Sequence, residues 1–341
     1  MEMSNNGTDQ LFTAQNAAAS IILSLACLLG VPGNVLVICI ILFAVKQRSP
    51  TVVLILNLAI VDMLVLITLP LWIYTIMHGW TFGEAFCKIL AYLVYCNMYV
   101  SIFLITVMSA ERFMAVFYPF TMQRWRRNKV VVKVVPAIWV LAFLFSVPVL
   151  IYQVVGVDAN GRQQCLYMQF DTDEQEILCT MIQIVVAFII PFSVLSICYF
   201  CIGRKMKQMT FNTQNRTGVV IGSVVIVFFI CWVPHHILNL ASVIALMTKT
   251  SNQIMSDTFS EFYDIGVLVT GALAFINSCV NPVVYAFAAR NIRRNFRLTA
   301  LTKLFDQLTH SIKEESGKEC MDITRKDTSA TMEEICSVQD S

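Results

Sequence analysis

The sequence predicts an all-α membrane protein: a seven-transmembrane helix bundle followed by a short amphipathic eighth helix. Two bulk observations and one pattern carry that reading. Hydrophobic residues make up 57% of the 341 residues and charged residues only 13%, about half the roughly 25% of a soluble domain. Mean hydropathy is +0.70. Apolar runs recur seven times, at roughly 17–45, 51–77, 86–117, 130–154, 177–203, 217–247 and 262–289, each long enough to cross a hydrocarbon core about 30 Å thick. The formal net charge, +2, argues nothing about nucleic acid; where the charges sit is more informative.

Run one follows a polar stretch, residues 1–16, that holds Asp9 and no basic segment. It therefore reads as a span rather than a cleaved leader. The connectors after runs one, three, five and seven carry Lys46 and Arg48, then Arg124, Arg126, Arg127 and Lys129, then Arg204, Lys205, Lys207 and Arg216, then Arg290, Arg293, Arg294 and Arg297. The opposite connectors carry only Lys88, Arg162 and Lys249. Basic loops stay in the cytoplasm, which places residues 1–16 outside the cell and the C-terminal segment inside, with the spans over 17–289. Pro70, Pro191, Pro234 and Pro282 fall inside spans two, five, six and seven. Each removes a backbone hydrogen bond and permits a kink. Past span seven, Ile292 and Phe296 share one helical face beside arginines, predicting an amphipathic interfacial helix over 290–309. Residues 310–341 are polar and rich in Ser, Thr and Glu, the composition of a disordered tail.

Most of the twelve cysteines, among them Cys27, Cys39, Cys198, Cys201, Cys231 and Cys279, lie inside spans and read as small packing side chains. Cys87 and Cys165 both fall on the outer, oxidising side, where a bridge would tie the loop after span four to span three. Cys179 is a competing partner, although it reads as already inside span five. Asn6-Gly-Thr8 forms a glycosylation acceptor in the same compartment.

Few ionisable groups lie deep in the spans: Asp62 is midway along span two, while Glu111 and Arg112 lie at the cytoplasmic end of span three. An intramembrane charge is a functional hypothesis by default. Asn34, Asn57, Ser101, Asn277 and Asn281 sit at compatible depths. Asp62, Ser101, Asn277 and Asn281 together form a candidate Na⁺ site, because a hard cation takes carboxylate, amide and hydroxyl oxygens. The plainer alternative is a neutral, hydrogen-bonded carboxyl. No other cofactor is called for. A secondary transporter would show matching halves with interrupted spans, and a channel a continuous polar stripe. An intramembrane enzyme would need a nucleophile–base pair or metal ligands at depth, and the span histidines are His235 and His236 alone.

One set of motifs, in order and each in its own span, carries a resemblance. The set is Gly33-Asn34-Val35, Leu58-Ala59-Ile60-Val61-Asp62, Cys87 with Glu111-Arg112-Phe113, Trp139, Pro191 with Tyr199, Phe228 with Cys231-Trp232-Val233-Pro234, and Asn281-Pro282-Val283-Val284-Tyr285. Across all seven spans the chain resembles the rhodopsin-like (class A) G-protein-coupled receptors. That resemblance implies a plasma-membrane receptor, not an enzyme, working through heterotrimeric G proteins, receptor kinases and arrestin. It also implies activation roles for Glu111, Arg112, Tyr199, Phe228, Trp232, Pro234, Asn281, Pro282 and Tyr285. Glu111 would hold Arg112 at rest and release it towards Tyr199 and the G protein. Phe113 departs from the usual tyrosine and cannot donate a hydroxyl bond.

For the ligand, span seven contains no lysine for a retinal Schiff base, and Val94 stands where amine receptors place an aspartate. Helical spacing puts Val94, Tyr95, Met98 and Tyr99 on one outer face of span three. Tyr74, Gln183, His236, Asn239, Val267 and Thr270 are candidates to line the same cavity, with His236 favoured over His235 as the inward residue. Trp80-Thr-Phe-Gly83, Asn215-Arg-Thr-Gly218 and Cys231-Trp-Val-Pro-His-His-Ile-Leu-Asn-Leu240 resemble chemoattractant receptors, leukotriene B4 receptors above all. That implies a lipid agonist and a Gi-type partner. Gln153 stands where those receptors carry an arginine, and it is a further ligand-binding candidate, able with Gln183, His236 and the tyrosines to bind hydroxyls and a carboxylate. The acidic outer loops, with Asp158, Asp171, Asp173, Glu174 and Glu176, favour instead a cationic peptide or chemokine-like ligand.

Overall fold

A segment in lipid must satisfy its backbone hydrogen bonds internally, so long helices are the economical solution for this composition. The computed structural model of the chain describes residues 2–45, 49–127, 130–157, 161–208, 215–248, 263, 266–267 and 269–283. Among them are six helices long and apolar enough to cross a membrane, and one shorter apolar helix, Val269–Val283, in the seventh predicted span. Tyr285, the predicted interfacial helix and the tail lie outside the described residues, as does the Asn6 side chain.

Span one is α1 (Glu2–Cys39), which continues as a π-helical turn, Ile40–Ala44. Its backbone is helical from Glu2, through the polar stretch assigned above to an outer segment. Span two is two helices, α2 (Pro50–Leu66) and α3 (Leu69–His78). They divide where Pro70 lacks an N–H, and the Thr68 hydroxyl donates to the Val65 carbonyl at 2.6 Å across the break. Span three is α4 (Glu84–Phe117), and α5 (Pro119–Arg127) forms a short helix in the following connector. Span four is α6 (Val130–Tyr152). Span five is α7 (Asp173–Ile184), a π-helical turn Val185–Ile189, and α8 (Ile190–Gln208). The Ile190 N–H reaches back to Val185 O just before Pro191, so the wider turn absorbs the missing proline donor. Span six is α9 (Asn215–Thr248), with Pro234 inside it. The helix Val269–Val283 is α10.

The pillar of the bundle is α4. In its most apolar window 61% of residues are buried, against 22% for the first and fourth spans. Its Met98, Tyr99, Val100, Ile102, Leu104, Ile105 and Met108 share one core cluster with Leu54, Leu58, Phe228 and Trp232. Small residues bring α1 against α10: a Cβ added at Gly30 would lie 2.7 Å from Cys279 Cβ and from Leu66 Cδ1, and one at Gly33 would lie 3.0 Å from Pro282 Cβ. Lipid offers helices no hydrophobic gain on association, so this close approach is what dispersion can exploit.

The loop after span four departs from the all-α expectation. β1 (Gln153–Val157) and β2 (Gln163–Met168) form an antiparallel hairpin, with Gln153 opposite Met168 and Val157 opposite Gln163. Gln153 thus opens a strand rather than closing a helix. Its amide nitrogen lies 4.0 Å from Cys165 Sγ. Cys165 is joined to Cys87, and Cys179 is free. The Trp80 N–H donates to Gln163 O at 2.7 Å, clamping the α3–α4 connector to β2. Cys165→Ala removes the covalent half of this clamp, and the expected loss is about 2–4 kcal/mol. A fall in melting temperature of the solubilised protein that Cys179→Ala does not reproduce is the measurement that checks it.

Candidate functional site

Asp62 is fully buried in α2, and two amides hold its carboxylate. Asn281 Nδ2 of α10 donates to Oδ2 at 2.7 Å, and Asn97 Nδ2 of α4 donates to Oδ1 at 3.4 Å. Asn97 also pairs with the Ser278 hydroxyl, which donates to Asn97 Oδ1 at 3.3 Å. Asn34 Nδ2 of α1 donates to Ser278 O and to Gly30 O, both at 3.0 Å. Amides of spans three and seven thus meet one carboxyl group of span two, and span one joins them through Ser278 O. Of the candidate cation ligands, Asp62 and Asn281 touch directly. Ser101, Asn277 and Asn281 each present a buried oxygen with no hydrogen-bond partner. Asn57 turns away: it accepts from Trp139 Nε1 at 3.2 Å and belongs to the α2–α6 contact. Five residues on a helix rotate it about 140° from Asp62, which depth alone does not register.

At the other end of α4, Glu111 and Arg112 meet through a third residue. The Thr51 hydroxyl, in the first turn of α2, donates to Glu111 Oε2 at 2.6 Å and accepts from Arg112 Nη2 at 2.7 Å. Both Glu111 and Thr51 are buried. Phe113, which cannot repeat a tyrosine's hydroxyl bond, stacks on Phe117 at 4.7 Å between ring centroids. Lys205 of α8 lies over the Phe117 ring at 5.7 Å, a cation–π contact. The stack accounts for an aromatic here without a polar group.

Towards the Cys87 end, the polar centre is His235. Gln183 Nε2 of α7 lies 2.9 Å from His235 Nε2, and Asn239 Nδ2 lies 3.2 Å from it. Both amides donate, so that ring nitrogen accepts. His236, the residue favoured from the sequence, is 3% exposed and stacks on Phe188 of span five at 4.9 Å, with no hydrogen bond at either ring nitrogen. The one-residue step turns the two rings about 100° apart, and the wide turn Val185–Ile189 supplies the ring that His236 meets. His235, Trp232 and Phe228 form a column along α9, with centroids 5.9 and 6.0 Å apart.

The other lining candidates divide. Tyr95 is half-buried against the main core, and Val94 packs instead with the cluster of spans one, two and seven. Met98 and Tyr99 are core residues, Tyr99 against Phe145 at 5.7 Å. Thr270 is buried and donates to Val267 O at 3.2 Å. Tyr74 is exposed and stacks on His78 at 4.7 Å, so it belongs to the aromatic rim around Trp80 and Phe82 rather than to the His235 group.

Residues 33–285 match the family described as 7 transmembrane receptor (rhodopsin family). The chain belongs to that family. Leukotriene B4 receptor 1 of Homo sapiens is 32% identical over 289 residues, covering 84% of this chain and 81% of that one. Type-1 angiotensin II receptor A of Xenopus laevis is 32% identical over 286 residues, covering 82% and 78%. The C3a anaphylatoxin chemotactic receptor of Oncorhynchus mykiss is 31% identical over 296 residues, covering 84% and 78%. The chain is therefore a multi-pass plasma-membrane receptor that pairs an agonist with a G protein, and a signalling protein rather than an enzyme.

Three residues of the receptor's polar contacts escaped the sequence reading. Asn97 and Ser278 had a signal: Asn97 lies one turn from Ser101, and Ser278 lies beside Asn277 and three residues from Asn281. Thr51 had none, since no spacing rule links the first turn of one span to the far end of the next. Replacing Asn97 with Ala leaves Asp62 Oδ1 and Ser278 without their amide. The expected loss is about 1–3 kcal/mol, read as a lower melting temperature of the unliganded receptor.

Proposed function

We propose that the chain is a receptor for an extracellular chemoattractant, a lipid mediator such as leukotriene B4, with residues 1–16 outside the cell and coupling to a Gi-type G protein. The carrying observation is the His235–Gln183–Asn239 group. It offers neutral donors and acceptors, the chemistry that suits the hydroxyls and carboxyl of an oxygenated fatty acid. The 32% identity to leukotriene B4 receptor 1 agrees. Peptide recognition is the second reading. It draws on Asp173, Glu174 and Glu176 in the first turn of α7 and on the likeness to angiotensin II and C3a receptors.

An agonist that binds the open packing better than the closed one shifts the equilibrium between them. In this reading it acts on His235, the displacement passes along Trp232 and Phe228, and the lower part of span six swings about Pro234. Arg112 then leaves its resting contacts and meets the G protein beside Tyr199. Tail hydroxyls among residues 310–341 serve receptor kinases and arrestin. Asp62 with the unpartnered oxygens of Ser101, Asn277 and Asn281 suits Na⁺, which would favour the resting packing by neutralising the carboxylate there.

Nucleotide exchange on a Gi-type G protein, measured with a panel of eicosanoids and cationic chemotactic peptides, tests the reading. The expected result is stimulation by an eicosanoid, with Arg112→Ala reducing it on the order of tenfold or more. Stimulation by peptides alone replaces the lipid reading with the second. His235→Phe is expected to weaken agonist affinity by about tenfold, the worth of one buried hydrogen bond. In a parallel binding assay, exchanging KCl for NaCl lowers agonist affinity, and Asp62→Asn removes that sensitivity.

A further inference from the structure

Spans five and six each carry a proline, Pro191 and Pro234, where a helical hydrogen bond is lost and the backbone can bend. Two pairs of aromatic rings join these spans. Phe188 stacks on His236, with centroids 4.9 Å apart and planes 22° apart. Phe192 meets Phe229 edge to face, at 5.0 Å and 85°. Pro191 separates Phe188 from Phe192, and Pro234 separates Phe229 from His236. With the Cys87 end of the bundle taken as upper, the first pair is an upper rung, above both bends, and the second a lower rung, below both. A swing of span six about Pro234 leaves the upper rung in place and parts the lower one. Phe229 lies five residues from Pro234, about 7.5 Å along the axis, and travels with the swinging segment, whereas Phe192 stays with α8.

We infer that Phe192 and Phe229 are positioning residues of the resting packing: their edge-to-face contact is the restraint that the swing of span six has to break. This rests on the swing described under the proposed function and adds span five as its restraint. The surroundings suit a contact that opens and recloses. Phe192 is 44% exposed on the surface of the bundle, where acyl chains surround it. Parting the rings exchanges an aromatic neighbour for lipid, which is as apolar as leucine, so little hydrophobic free energy changes. What is lost is the directional attraction of a positive ring edge for a negative ring face. Phe229 also meets Phe228 at 6.0 Å and 80°. The restraint therefore adjoins the Trp232–Phe228 column, and a displacement passing along that column reaches it next.

Phe192→Leu and Phe229→Leu each keep an apolar side chain and remove one ring. In the full-length receptor each is expected to raise agonist-independent nucleotide exchange about two- to tenfold, the worth of one edge-to-face pair. The double variant is expected to match the stronger single one, because both remove the same contact. Phe188→Leu, in the upper rung, lowers the melting temperature of the unliganded receptor without raising exchange; a loss of packing alone would treat the two rungs alike. Methionine replaces leucine at any of the three positions where the leucine variant does not accumulate. A pair of spin labels, one in the first turn of α9 and one on α5, reports the swing with no G protein present, and the population at the longer distance rises in both lower-rung variants. Unchanged label distances in Phe192→Leu and Phe229→Leu overturn the inference, as do additive effects of the two or a Phe188→Leu that lengthens the distance equally. A longer distance without exchange on a Gi-type protein upholds the restraint and removes the Gi reading instead.

Discussion

A carboxylate deep in a membrane bundle is tolerated only when other groups supply what water would have supplied. Asp62 is 0% exposed, and its two oxygens are taken by amides from two different spans. Everything around it follows from that need. Asn97 is oriented by Ser278, and Asn34 joins the same turn of α10 by donating to the Ser278 backbone carbonyl. The polar cluster thus aligns spans one, two, three and seven at one depth, and dispersion then packs the apolar surfaces above and below. Apolar contact between helices in lipid is weakly selective, because the tails are as apolar as leucine. The directional bonds of a few polar atoms set the register instead.

Such a centre is also a natural point of bistability. Ser101, Asn277 and Asn281 leave buried oxygens without partners in this packing, and unsatisfied buried groups cost about 1–3 kcal/mol each. A cluster that is tightly bonded on one side and unsatisfied on the other can change partners at modest cost. The two ends of the bundle share this character: His236 stacks on Phe188 with both ring nitrogens unpartnered, and Glu111 uses one carboxylate oxygen while the other has no hydrogen bond.

The spans, the proline breaks and the Cys87–Cys165 pair were legible because each is dictated by a local or strongly periodic rule: bilayer thickness, loss of an N–H, or compartment. The Asp62 cluster was legible in depth but not in azimuth. Asn57 lies at a depth compatible with Asp62 yet faces Trp139. The facing of His235 and His236 was hidden for the same reason, since adjacent helical positions point about 100° apart and the contacts each ring makes are set by the neighbouring span. The β1–β2 hairpin was masked by its apolar valines, which extend the hydrophobic run of α6 without a helical period. Thr51 was invisible because its meaning lies wholly in two partners some sixty residues away.

The π-helical turn Val185–Ile189 has a geometric consequence for span five. One additional residue in a turn rotates everything on its far side by about 100° relative to an unbroken α-helix. Gln183 lies on one side of that turn and Tyr199 on the other. The extra residue is therefore a phase shifter: it lets one helix aim Gln183 at His235 and Tyr199 towards Arg112 and Gly222. Straightening span five into a regular helix would keep its length and hydrophobicity intact, yet it would uncouple the facing of its two halves.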